Sequence, residues 1–160
     1  MSNTWVVNAS PVIVLAKIGQ LHLLERLANP LLLPDAVAEE LLAGPADDPA
    51  RAAVIGVWGQ RCSPNRMPEE ILEWGLGAGE SAVLALCLEH ESATAILDDA
   101  SARAAARALG VPLIGTLGVV VRAKLRGLLP SAAAVIADLH AAGFYIDDAV
   151  IRTTLKRIGE

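Results

Sequence analysis

The sequence predicts an α/β sandwich in which helices cover a parallel sheet, and three features predict it. Short aliphatic runs alternate with helical stretches of about ten residues, the order expected of βαβ units. The core must be aliphatic, because apolar residues make up 54% of the 160-residue chain and aromatic residues only 3%. Polar residues, most of them acidic, follow several of the apolar runs, where the loops and helix N-termini of a parallel sheet converge.

The first strand is Trp5-Val6-Val7, a short buried run. Asn8-Ala9-Ser10-Pro11 follows, where Ser10 suits a helix cap and Pro11 the first turn of a helix that runs to Gly19. Leu31-Leu32-Leu33 between Pro30 and Pro34 is a second strand, and Asp35 opens a helix over 36–42. The stretch 43–49 is turn-rich, 51–60 has helical character, and 62–68 is irregular with two prolines. A strong helix covers 80–89, a strand 93–97, an Ala/Arg helix 101–109 closed by Gly110, and a strand 111–114. Beyond Gly115 the pattern is wholly helical, over 117–126, 131–142 and 147–158. No repeat or domain boundary interrupts this order, so residues 1–160 are expected to form a single domain.

A chain of this length buries roughly 70% of its unfolded surface around one core and needs no disulfide or metal for stability. Its apolar runs are broken by charge, Pro or Gly within about ten residues, short of the roughly 20 that span a bilayer. The N-terminus has neither a basic leader nor a cleavage site, so a cytoplasmic protein is expected. Cys62 and Cys87 stand apart from each other and from His22, His90 and His140, which excludes a zinc site by spacing. The net charge of −5 excludes a generally basic, nucleic-acid-coating surface but leaves room for a local patch. Gly75-Leu76-Gly77-Ala78-Gly79 lacks the preceding strand of a dinucleotide loop, and neither a phosphate-binding Gly-Lys loop nor a Gly-x-Ser-x-Gly elbow occurs.

Four places qualify as site candidates at strand ends: Asn8, Glu40, Glu80 and the pair Asp98-Asp99. At roughly 100° per residue Glu39 turns away from Val37 and Leu41, whereas Glu40 lies at the margin of that apolar face. Glu40 is also readable as a surface acid. Glu80 stands in the first turn of its helix, where a carboxylate gains a few tenths to ~1 kcal/mol from the dipole, so capping is an alternative role. Two adjacent carboxylates repel, so one of Asp98 and Asp99 is expected to face inward. Asp99 can cap the next helix or pair with Arg103, which makes Asp98 the stronger candidate for the site.

Taken in order, Val6-Val7-Asn8-Ala9-Ser10-Pro11, Pro34-x-x-Val37-x-x-Glu40-Leu41, Leu76-Gly77-x-Gly79-Glu80-Ser81 and Leu97-Asp98-Asp99-x-x-Ala102-Arg103 resemble the PIN domain. The likeness covers about residues 4–155 and is closest to an uncharacterised PIN-like branch akin to VapC-type toxins. It implies a three-layer α/β/α sandwich with a short central parallel sheet. It also implies a ribonuclease whose acidic cluster holds Mg²⁺ or Mn²⁺ at the C-terminal edge of the sheet. Glu40, Glu80 and Asp98 match the second, third and fourth acidic positions of the family, with Asp99 beside the last. Asn8 stands at the first, where PIN enzymes normally carry Asp. An amide can coordinate a cation through its oxygen but adds no charge.

Ser10 and Thr116 suit either a helix cap or the orientation of a ligand. Arg103 and Arg107 share one helix face, which serves either RNA phosphate or solvent. The leading expectation is a metal-dependent endoribonuclease acting on RNA, the toxin of a toxin–antitoxin pair with a small antitoxin protein as partner. The alternative is a non-catalytic PIN scaffold that binds RNA or a protein. A small-ligand-binding α/β protein is a third. A homodimer is expected because so apolar a chain leaves an exposed patch.

Overall fold

Trp5, Val6 and Val7 are all buried in the computed structural model, which describes residues 3–160; the first two residues of the N-terminus lie outside it. A strand buried on both faces belongs in a parallel sheet covered by helices on each side. This strand, β1 (Trp5–Val7), is the middle of five, and its successor α1 (Ala9–Lys17) starts two residues later. The N-cap of α1 is Asn8 and not Ser10, which lies inside the first turn with its side chain exposed.

The short α2 (His22–Leu27) was not expected from the sequence and docks by Leu23, Leu24 and Leu27. It leads into β2 (Leu31–Pro34), which pairs parallel to β1, and then into α3 (Asp35–Leu42). Next, α4 (Pro49–Ile55) is capped by Asp48, whose carboxylate accepts from the Ala50 N–H at 2.9 Å. Helical structure does not extend over 51–60. The chain turns instead into β3 (Gln60–Cys62), an edge strand on β2. Its polar sequence hides it, and backbone pairing to β2 together with one side-chain clamp holds it. In the clamp Arg61 Nε and Ser63 Oγ donate to the two oxygens of Asp35, at 2.8 and 2.5 Å. These bonds, Ser63 first, lower the Asp35 pKa.

After the single-turn α5 (Glu69–Leu72), α6 (Ala78–Glu89) passes through the interior with Ser81 to Cys87 buried throughout. It packs against β1, β2, α3 and the next strand, β4 (Thr94–Ile96). The amphipathic α7 (Ala100–Ala108) then leads to the edge strand β5 (Leu113–Ile114), two residues shorter than the sequence suggests. Three helices close the chain: α8 (Thr116–Leu125), α9 (Ala132–Ala141) and α10 (Asp148–Arg157). The order β3-β2-β1-β4-β5, all parallel, with helices packed around it, is the expected three-layer sandwich. Among the described residues no helix is long and apolar enough to cross a membrane.

No residue of α10 is fully buried, and it rests on the core through the partly buried Ile151, Leu155 and Ile158. Glu160 reinforces this contact. Its carboxylate accepts from the N–H groups of Ala132 and Ala133 at 2.7 and 3.1 Å and from Ser131 Oγ at 2.9 Å, with Lys124 Nζ at 3.5 Å. The two backbone donors lower its pKa from 4.5 to about 2. A depressed carboxylate pKa stabilises the fold above the unfolded value and loses that effect as pH falls through the folded one. Amide exchange in the first turn of α9 should therefore accelerate as pH drops from 4.5 towards 2, once corrected for intrinsic rates. Glu160→Gln should already exchange fast at neutral pH and show little of this pH dependence.

Candidate functional site

The strand order sets the place of the site. From β1 the chain steps outward through β2 to β3, then crosses back to β4 on the other side of β1 and continues to β5. Ligands of open parallel sheets bind at such a reversal, beyond the carboxyl ends of the strands. Here a cleft of about 620 Å³ opens beyond β1 and β4, and Asn8, Ser10, Glu40, Glu80, Asp98 and Asp99 all line it.

Asn8 leaves β1 with an extended backbone, and its N–H donates to Ile96 O at 3.2 Å, tying the end of β1 to β4. Asparagine at an N-cap usually bonds the helix with its side chain. This one does not: Asn8 is 7% exposed, and its Oδ1 is buried with no hydrogen-bond partner.

Glu80 is the third residue of α6, after the N-cap Gly77, and the Gly77 N–H supports its carboxylate. Its other oxygen, Oε2, is buried without a partner. Burial raises the Glu80 pKa most; the charge of Asp99, a hydrogen bond shared with Asp99 and then the charge of Glu40 add to the rise, and the Gly77 bond partly offsets it. Glu40, exposed on the last turn of α3, reaches the cleft, as the helical angle predicts.

A residue not marked as functional in the sequence brings these groups together. A Cβ added at Gly79 would lie 3.0 Å from Glu40 Oε2, 3.2 Å from Val37 Cγ2 and 3.4 Å from Asn8 Oδ1. The absence of a side chain lets α6 approach α3 and the end of β1 closely. The Gly77-Ala78-Gly79-Glu80 run carried that signal, but it reads equally well as a turn.

Asp98 and Asp99 both line the cleft, and each is also bonded within the fold. Asp98 Oδ1 accepts from the Thr116 N–H at 2.8 Å and Oδ2 from Thr116 Oγ1 at 2.6 Å, so Thr116 engages both its oxygens. Thr116 is fully buried, does not line the cleft, and is not the cap of α8, which is Gly115. Asp99 caps α7 through the Ala102 N–H at 3.0 Å, and its charge is the one that bears most on Glu80. Arg103 sits in an adjoining hollow beside Asp98, with Nη1 donating to Leu97 O at 2.9 Å. Gly115 makes room for it: a Cβ there would come within 2.8 Å of both Arg103 Nη1 and Asp98 Oδ1.

Among the described residues no three His, Cys, Asp or Glu side chains gather at metal-holding geometry. The amide of Asn8 adds a neutral oxygen to the carboxylates of the cleft. Asn8 Oδ1 and Glu80 Oε2 are both orphaned at the cleft, and Glu40 and Asp99 add anionic oxygens around them. An all-oxygen set of this kind suits a hard cation such as Mg²⁺ or Mn²⁺.

The profile of a protein family described as DUF3368: PIN domain matches residues 4–160. The chain belongs to the PIN-domain family. Among curated proteins none matches it. The PIN domain is a nuclease fold, generally dependent on divalent metal, and PIN domains commonly bind nucleic acids.

Proposed function

We propose that this PIN domain is a metal-dependent endoribonuclease and that the cleft beyond the ends of β1 and β4 is its active site. The observation that carries the reading is the pair of buried, partnerless oxygens, Asn8 Oδ1 and Glu80 Oε2, at one cleft with Glu40 and Asp99. A buried polar atom without a partner is costly, and a ligand that supplies one repays the cost. Asn8, Glu40, Glu80 and Asp99 would hold the cation, with Asp98 as a positioning residue locked by Thr116. A bound Mg²⁺ or Mn²⁺ would activate water and offset charge on the scissile phosphate. Gly77 orients Glu80, and Gly79 keeps Glu40 and Asn8 close to it. Burial makes the Glu80 charge costly unless a cation offsets it. Ser10, exposed at the rim, is placed to orient the substrate.

The finer form of the proposal is a cytoplasmic VapC-type toxin with a small antitoxin protein and a homodimeric state. The family resemblance supports it, as do exposed apolar side chains such as Ile55, Val57 and Leu72. A second reading, a scaffold that binds RNA or a protein without cleaving, rests on the neutral Asn8 and on the capture of both Asp98 oxygens by Thr116. Cleavage of a labelled RNA with Mn²⁺ separates the two. The wild-type protein should cut only with the metal, and Glu80→Gln should cut at least about 100-fold more slowly, as removal of a transition-state electrostatic contact does. Equal cutting by both would expose a contaminating nuclease. Binding without cutting would favour the scaffold.

A further inference from the structure

The only phenylalanine and the only tyrosine of the chain are neighbours, and they stand beside the acidic cleft. Phe144 borders two hollows. One, of about 250 Å³, is lined by Ile13, Lys17 and Phe144 and shares Ala9, Ser10 and Glu40 with the cleft. The other, of about 360 Å³, is lined by Arg103, Leu117, Phe144 and Tyr145 and shares Asp98 with the cleft. Phe144 therefore stands between two hollows that adjoin the cleft, with Tyr145 in one of them and one cation in each.

Tyr145 is 79% exposed, yet its position is held. Its ring stacks on His140 with centroids 6.3 Å apart and planes 27° from parallel. The loop is pinned by Phe144 N–H to Leu139 O at 2.9 Å and Gly143 N–H to His140 O at 3.0 Å, with His140 Nε2 3.3 Å from Ile146 O. Gly143, at φ 90°, supplies the turn that a side chain would strain. Phe144 is partly buried against the core. A large aromatic face left in water on a held loop has a surface to offer and little entropy to lose on binding.

We propose that Phe144 and Tyr145 form a platform on which unpaired bases stack while the backbone crosses the cleft, with Lys17 and Arg103 meeting the phosphates on either side. This rests on the ribonuclease reading of the cleft and adds the residues outside it that would hold the strand. Stacking suits single strands because every base has a face to offer, whereas a duplex keeps those faces occupied. The two cations matter because the cleft between them is lined by Glu40, Glu80, Asp98 and Asp99, whose charges repel a polyanion unless cations flank them.

The test is binding of an oligoribonucleotide carrying 2-aminopurine to the full chain in EDTA at low ionic strength, where no metal-dependent cutting occurs. Stacking should quench the probe, and the single strand should bind at least about tenfold tighter than the same sequence as a duplex. Tyr145→Ala should weaken binding about tenfold and relieve the quenching, and Tyr145→Phe should restore both. Phe144→Leu, which keeps most of the core volume, should act in the same direction, and Lys17→Ala should lower the salt slope by about one. Unchanged affinity in Tyr145→Ala and Phe144→Leu would overturn the platform, as would equal binding of duplex. So would a change of sedimentation mass in Tyr145→Ala with RNA affinity intact, which would make the loop a protein contact. Tyr145-dependent binding without metal-dependent cutting would sink the nuclease reading alone. Cutting with an unchanged KM in Tyr145→Ala would sink the platform alone.

Discussion

Replacing Asp98 by Ala should cost about 2–4 kcal/mol of stability, since it strips the acceptors from two donors of one fully buried residue. Thr116 gives Asp98 its N–H at 2.8 Å and its hydroxyl at 2.6 Å, and it is 0% exposed. Each orphaned donor costs about 1–3 kcal/mol, and the partial exposure of Asp98, which admits water, keeps the sum towards the lower end. For a chain of this size the midpoint of thermal unfolding should fall by about 5–12 °C. Asp98→Asn keeps one acceptor and should lose about half as much. In a Thr116→Val background the effect of Asp98→Ala should shrink, with a coupling of about 1 kcal/mol in the double-mutant cycle. Urea or thermal denaturation of the four proteins checks this. Should Asp98→Ala unfold like the wild type but abolish cleavage, Asp98 belongs to the chemistry and not to the clamp.

That clamp shows where sequence reasoning stops. Adjacent carboxylates at the end of an apolar strand announce that one turns inward, and the rule that strand ends carry the site places Asn8, Glu40, Glu80 and Asp98 together. That both oxygens of Asp98 are bonded is decided by a residue 18 positions later, through tertiary contact alone. Asp99 caps its helix as expected and also lines the cleft, where its charge bears on Glu80. The strands at the centre of the sheet were legible because burial on both faces makes them continuous apolar runs. Edge strand β3 was not, because Gln60 and Arg61 are polar and exposed, and the strand is held by pairing to β2 and by the clamp on Asp35. Gly79 was visible as a glycine but not as the point where α6 meets α3, since its backbone needs no positive φ. Its requirement is steric and exists only in the assembled fold.

Asn8→Asp should strengthen Mn²⁺ binding at least about tenfold, because it places a fourth carboxylate beside Glu40, Glu80 and Asp99 where the present side chain offers a neutral oxygen. Without metal the same change should be destabilising. Position 8 is 7% exposed, and a buried carboxylate beside like charges loses hydration and meets repulsion together. A loss of about 1–3 kcal/mol is expected, in the range for a buried polar group left uncompensated. Mn²⁺ should reverse it, since a ligand that binds only the folded state stabilises it by about 2.7 kcal/mol at 100 times its Kd. In the wild-type protein, Asn8 Oδ1 already lacks a partner, so its stabilisation by the ion should be smaller but not zero. Thermal unfolding of both proteins at neutral pH, with and without Mn²⁺, followed by calorimetric titration, measures all of these quantities. If neither protein responds to the ion, the oxygens at the cleft are not a cation site and the nuclease reading loses its support. If the wild-type protein binds as tightly as Asn8→Asp, the amide is a full ligand and the loss of charge at the end of β1 does not weaken the metal site.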